Sequence, residues 1–77
     1  MINLNQLRVF YEAARSGSFT AAARKLFITQ PAVTAQMKSF EDQCNLKLFK
    51  KKGRRLYLTD EGNTLYEYAK RIFEYER

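Results

Sequence analysis

Gln30, Thr34 and Lys38 stand four residues apart, so on a helix they line one face. Each brings a different capacity: an amide that both donates and accepts, a hydroxyl beside a methyl, and a cation. Pro31 and Ala35 share that face and offer apolar contact alone. Such a small, polar, weakly basic surface suits the edges of base pairs. Gln can bond adenine through two atoms, Thr can offer its hydroxyl or methyl, Lys can reach guanine or a phosphate, and Pro31 or Ala35 can lie against a thymine methyl. Just beyond, Lys47, Lys50, Lys51, Lys52, Arg54 and Arg55 place six cations within nine residues, with no acid among them. A cluster of this kind repels itself unless it is solvated or neutralised by a polyanion. Phosphate contacts are the natural gain, and an arginine at its tip could instead enter a narrow minor groove. Taken singly, the first feature fits an ordinary helical hairpin and the second a solvated turn. Their adjacency favours a nucleic-acid surface.

These residues need elements to hold them. A first helix is expected from about Leu4 to Arg15, capped by Asn3, with Leu7, Phe10, Tyr11 and Ala14 as its buried stripe and Gly17 closing it. A second runs from about Phe19 to Phe27 behind the cap Ser18, with Phe19, Ala22 and Leu26 facing inward. Its Ala21-Ala22-Ala23 run favours helix and allows close approach of another helix. Ile28 is the apolar residue of the turn. A third helix starts at Thr29, whose hydroxyl can bond the Ala32 amide, and carries Pro31 in its first turn. Val33, Met37, Phe40 and Cys44 form its core stripe, and Asn45 closes it. Glu41 and Asp42 lie far along this helix, where acids would repel phosphates, so its N-terminal half is the part expected to enter a groove. Leu48-Phe49 and Leu56-Tyr57-Leu58 read as two short strands, with Lys51, Lys52, Gly53 and Arg54 as the turn between them. Thr59-Asp60-Glu61 opens a fourth helix, the acids suiting its positive end. Its apolar residues are Leu65, Tyr66, Ala69, Ile72 and Phe73, and no stop signal appears before Arg77.

Further phosphate contacts are expected from the free amides at Ser18 to Thr20, from Thr29, and from the exposed pair Arg24 and Lys25. Leu65, Ala69, Ile72 and Phe73 of helix four could simply pack on helix one, but the preferred expectation is that they meet a second copy of the chain, since the pattern continues past what a domain this small can cover.

The totals are consistent with this. Seventy-seven residues allow one small domain with a modest core. Eleven Lys/Arg stand against three Asp/Glu up to Leu58, and three against five afterwards, so the basic character belongs to the region of the two motifs. There is no histidine, and the single cysteine, Cys44, falls in phase with a core stripe. A metal site, an internal disulfide and the usual nucleophile and acid–base arrangements therefore lack their residues; no cofactor and no enzymatic activity are expected. The N-terminus lacks a basic region ahead of an apolar run, and the longest uncharged stretch, Leu26 to Met37, contains Thr, Gln and Pro, so no membrane span and a cytoplasmic location are expected.

The run Gly17-Ser18-Phe19-Thr20-Ala21-Ala22-Ala23 with Leu26, Gln30-Pro31-Ala32-Val33-Thr34, Gln36, Glu41, Leu48-Phe49, Arg54-Arg55 and Leu58-Thr59-Asp60-Glu61-Gly62, preceded by Leu7 and Phe10, resembles the N-terminal DNA-binding domain of LysR-type transcriptional regulators over nearly the whole chain. The resemblance implies a mainly α, winged helix-turn-helix fold: a three-helix core, a two-stranded β wing and a long C-terminal linker helix that dimerises. Residues 1–58 would form the DNA-binding unit and 59–77 the start of the linker. A separate C-terminal domain, outside this chain, would bind a small-molecule inducer, and the full-length protein would act on double-stranded DNA as a homodimer or as a tetramer built of two dimers. By the same resemblance Gln30, Pro31, Thr34 and Lys38 fall where the family contacts bases, and Arg54 falls at the wing. Thr29 stands where the family usually has a capping Ser and keeps the hydroxyl. Ala35 departs from a frequent Arg, which removes one contact and shifts site preference. Cys44 and Asn45 replace the usual Leu and Gly. Two other readings remain at this stage: a winged-helix module whose basic wing binds an acidic protein, and a non-specific DNA coat. The uncharged Gln30/Thr34 face argues against the coat, which would use lysine there.

Overall fold

The computed structural model describes residues 3–74. Four helices and one hairpin follow in the order α1 (Leu4–Ser16), α2 (Phe19–Leu26), α3 (Gln30–Cys44), β1 (Phe49–Lys52), β2 (Arg55–Leu58) and α4 (Asp60–Glu74). The expected fold class, mainly α with a two-stranded wing, is the one observed. Each of the first three helices begins at a polar cap. The Asn3 side chain accepts from the Asn5 and Gln6 amides, Ser18 Oγ from the Ala21 amide at 3.1 Å, and Thr29 Oγ1 from the Ala32 amide at 3.2 Å. Each ends on a left-handed residue: Gly17, Phe27 and Asn45. Phe27 is thus the closing residue of α2 rather than its last helical one. A helix that must turn sharply into the next needs positive φ there, and Phe27 adopts φ 58°.

The core is built around α1, which packs against α2, α3 and α4. A helix covered on three sides buries more than one stripe. Leu7, Phe10 and Tyr11 are buried as the periodicity predicts, but so are Gln6, Val9, Glu12 and Ala13, while Ala14 is half-buried. Phe10 lies 6.1 Å from the Phe40 ring of α3 and 5.3 Å from Phe49 at the base of the wing. Phe49 in turn meets Phe19 of α2 edge-on at 5.2 Å. One aromatic chain therefore joins α3, α1, the wing and α2.

The hairpin pairs Phe49 with Leu58, Lys50 with Tyr57, Lys51 with Leu56 and Lys52 with Arg55. The loop is Gly53-Arg54, with φ 65° at Gly53, the positive value that the first position of a tight primed turn requires. Lys51 and Lys52, expected in the turn, are strand residues. Leu48, expected in the first strand, lies before it and is fully buried. Its amide goes to the Glu41 carboxylate at 2.7 Å and its carbonyl to the Thr59 amide at 3.0 Å, so neither group is left for the ladder.

Helix α4 is seated at this junction. Thr59 Oγ1 accepts from the Gly62 amide at 3.0 Å and donates to the Lys47 carbonyl at 2.6 Å. Gly62 lies against the Leu48 carbonyl so closely that a Cβ there would sit inside its oxygen. Further along, Ala69 is fully buried, and Leu65, Tyr66 and Phe73 pack on the same cluster. Tyr11 stacks on Tyr66 at 5.9 Å and meets the tilted Phe73 ring at 5.3 Å, and its hydroxyl donates to Glu74. Residues 59–74 therefore share one core with residues 3–58. The expectation that Ala69 faces a second copy is corrected: the small side chain lets α4 approach and is consumed in the chain's own packing. The continuation of the helix expected to Arg77 lies outside the described residues. Among the described residues no helix is long and apolar enough to cross a membrane, and no group of side chains could hold a metal ion.

Candidate nucleic-acid interface

Helix α3 divides cleanly. Val33, Met37 and Phe40 are buried, while Gln30, Pro31, Thr34, Ala35 and Lys38 are all exposed. The five residues expected to meet bases thus share the outward face, and the core stripe holds the helix so that this face stays out. Cys44 is half-buried against the core, in phase with that stripe. Gln30 and Thr34 are bonded to one another: Gln30 Nε2 donates to Thr34 Oγ1 at 3.1 Å, and the Thr34 hydroxyl donates to the Gln30 carbonyl at 3.2 Å.

Two grooves connect this face to its surroundings. One, of about 140 Å³, is lined by Ser18 and Thr20 at the start of α2, by Gln30, and by Lys51 and Arg54 of the hairpin. The structure therefore gathers residues from three elements that the sequence separates widely. The cap hydroxyls of Ser18 and Thr29 accept amides of their own helices, which leaves each O–H free to donate to an anion. The second groove, of about 200 Å³, lies between α3 and the wing. Thr34, Lys38, Glu41, Lys47, Lys50 and Lys51 line it together with Phe19, Met37, Phe49 and Leu56. Lys52 and Arg55 pair across the hairpin near its tip. Arg55 also lies 5.8 Å from the Tyr57 ring, a second contact on that strand. Arg24 and Lys25 are exposed on the last turn of α2, outside both grooves.

The described ion pairs are Arg15–Glu12 at 2.8 Å and Lys70–Glu67 at 3.6 Å. Among the described residues, none of the cations from Arg24 to Arg55 is in an ion pair. Lys38, Lys47, Lys50 and Lys51 gather at one groove with Glu41 as its acid, an excess of positive charge that a polyanion neutralises.

Glu41 is the residue that sequence reasoning misjudged. It is an acid on the reading helix, expected only to be kept away from phosphates. Its Oε2 instead accepts the Leu48 amide at 2.7 Å and the Phe49 amide at 3.1 Å, so it ties the C-terminal half of α3 to the root of the wing. The carboxylate lines the lysine-bordered groove, and its Oε2 is engaged by two backbone donors. Its partners are main-chain groups of Leu48 before the strand and of Phe49 at its start, and main-chain groups leave no mark in the residue types.

The profile of the family described as "Bacterial regulatory helix-turn-helix protein, lysR family" matches residues 4–63. This chain belongs to the LysR family. The family is one of regulators rather than enzymes. The LysR-family chain is 54% identical over 70 residues to the glycine cleavage system transcriptional activator of Escherichia coli K12, covering 91% of this chain and 23% of that protein. It is 41% identical over 71 residues to the RuBisCO operon transcriptional regulator of Allochromatium vinosum, covering 92% and 24%. The chain thus spans about a quarter of the length of these relatives. Among solved structures, the BenM DNA-binding domain in complex with benA site 1 DNA superposes with a TM-score of 0.88 at 33% identity, over 95% of this chain and 82% of that one. The CbnR DNA-binding domain, also solved on DNA, gives 0.86 at 33% identity over 97% and 86%. The helix-turn-helix, wing and following helix of this LysR-family chain are therefore the architecture of domains seen bound to duplex DNA.

Proposed function

We propose that this chain is the sequence-specific, double-stranded-DNA-binding domain of a transcriptional regulator. The N-terminal half of α3 lies in the major groove with Gln30, Pro31, Thr34, Ala35 and Lys38 toward base edges. The hairpin, through Lys50, Lys51, Lys52, Arg54 and Arg55, holds phosphate or enters the minor groove. Ser18, Thr20, Arg24 and Thr29 add phosphate contacts. The observation that carries this reading is the continuity of the grooves: an exposed, weakly basic reading face on α3 runs directly into cations of the wing that have no ion-pair partner among the described residues, in a fold that its relatives present to DNA. Phosphate contacts then supply affinity and register, and α3 supplies sequence choice.

The wider biology is proposed by kinship. The protein regulates transcription in the cytoplasm, and its inducer binds a domain outside this chain. It acts as a homodimer through α4, assembling further into a tetramer in the full-length protein. With Ala69 buried, the surface left on α4 for a second copy is the exposed Ile72 with Tyr68 one turn before it, flanked by the half-buried Leu65 and Phe73.

Selection of binding sites from random duplexes, with a sizing measurement of the complexes, tests both parts. The expected result is an enriched sequence with dyad symmetry and a complex holding two chains. Gln30→Ala is expected to cost about 1–3 kcal/mol on the selected site and to blur one base position. Lys51→Ala should weaken selected and random duplexes alike and flatten the dependence of log affinity on log salt by about one unit. Equal effects of both substitutions on both kinds of duplex would overturn base reading by α3.

A further inference from the structure

The Thr34 hydroxyl is already fully engaged in one direction. Its single proton goes to the Gln30 carbonyl one turn back, at 3.2 Å. The oxygen can then only accept, and what it accepts is the Gln30 side-chain Nε2, at 3.1 Å. This decides which way the Gln30 amide is turned. With the hydroxyl proton on the Gln30 carbonyl, an amide oxygen turned toward Thr34 would meet an acceptor with an acceptor, so this pair of bonds sets Nε2 toward Thr34. The amide keeps Oε1 and the second Nε2 hydrogen for a partner.

That remaining pattern, one acceptor beside one donor, is the complement of the adenine major-groove edge, which presents the N6 amino donor and the N7 acceptor. The guanine edge presents two acceptors, O6 and N7, and meeting both would require both Nε2 hydrogens, one of which is spent on Thr34. A free glutamine on an exposed helix face would also lose rotamer freedom on binding; here much of that ordering precedes the encounter.

We propose that Thr34 is a positioning residue: its hydroxyl orients Gln30 as an adenine reader and sets the preference for adenine over guanine at that position. The proposal rests on the reading that α3 lies in the major groove. It gives Thr34 a role that does not depend on its own contact with a base. The contact left to Thr34 itself is apolar, through its methyl.

The test combines site selection with affinity titrations on the selected duplex and on its variant carrying guanine for adenine at the position that Gln30→Ala blurs. Thr34→Val is expected to narrow the adenine-over-guanine preference about tenfold, the size of losing an oriented two-point contact, with other positions unchanged. Thr34→Ser, which keeps the hydroxyl, should hold the preference within about twofold of the wild type. The double variant Gln30→Ala with Thr34→Val should match Gln30→Ala alone, since the two act as one unit. In the free protein, nuclear magnetic resonance should show the two Gln30 side-chain amide protons less distinct in Thr34→Val. Both residues are exposed, so the fold tolerates these changes. A Thr34→Val preference altered at a different base pair, or an unaltered adenine-over-guanine ratio, overturns the proposal. A wild-type chain that enriches no sequence, or Gln30→Ala selecting the wild-type sequence, instead overturns the major-groove reading beneath it.

Discussion

Glu41 shows how one side chain can serve a site without touching its ligand. Two backbone amides converge on its Oε2, and both belong to the segment that starts the wing. Glu41→Ala leaves those amides unpaired in a half-buried position and is expected to cost about 2 kcal/mol, as for hydrogen bonds to a charged acceptor. Glu41→Gln, which keeps one oxygen but not the charge, should cost roughly half as much. Urea denaturation of the three proteins measures both. A Glu41→Ala midpoint equal to the wild type would show that the carboxylate contributes nothing to the junction. At this scale the sequence was legible wherever a residue acts through helical period. Gln30, Thr34 and Lys38 fall on one face because four residues make little more than one turn, and Val33, Met37 and Phe40 fall on the other. It was illegible for Glu41 because a carboxylate that captures main-chain donors across a loop has no complementary residue type to reveal it.

Among elements, helices were easier to delimit than strands, for a physical reason. Asn3, Ser18 and Thr29 supply acceptors for orphan amides, and Gly17 and Asn45 tolerate positive φ, so both ends of a helix are marked by residue type. The hairpin begins where Leu48 runs out of free backbone groups, and that depends on Glu41 and Thr59, both outside the strand. The fourth helix carried a similar surprise. Its apolar residues suggested an uncovered stripe, yet Ala69 is enclosed, because Gly62 and Ala69 let α4 settle onto the rest of the molecule. Gly62→Ala would force the Leu48 carbonyl or the whole helix start to move, with an expected loss of about 1–3 kcal/mol in thermal or chemical denaturation. The opposite sign is expected at Phe27. Its side chain is 94% exposed and its φ is 58°, so it has almost no burial to lose and a left-handed penalty to shed. Phe27→Gly should raise stability by about 0.5–1 kcal/mol. A marked loss on this change would mean that the ring is covered in solution.

The whole molecule hangs on α1, and Tyr11 reports how tightly α4 is held to it. Burial pushes the Tyr11 hydroxyl up from 10.0 to about 12, helped by its hydrogen bond to Glu74 and by that carboxylate's charge. The folded state therefore holds this proton more tightly than the unfolded chain. The corresponding stability is intact below pH 10 and is lost as pH rises through about 12. Denaturation midpoints of the wild type should consequently fall more steeply over that interval than those of Tyr11→Phe, which has no proton to lose; parallel curves would count against the coupling. The junction at Leu48 has a mechanical consequence at the same scale. The root of the hairpin is fastened to α4 by the Thr59 amide, the Thr59 hydroxyl and the seat of Gly62. It is tied to α3 by the Glu41 carboxylate as well, and the Phe49 ring joins the aromatic chain that runs through Phe10 to Phe40 of α3. A twist of α4 is therefore felt at the hairpin root directly, and at α3 both through Glu41 and through α1. On the proposed reading, one movement of the linker helix changes the grip of the hairpin and the seating of α3 together.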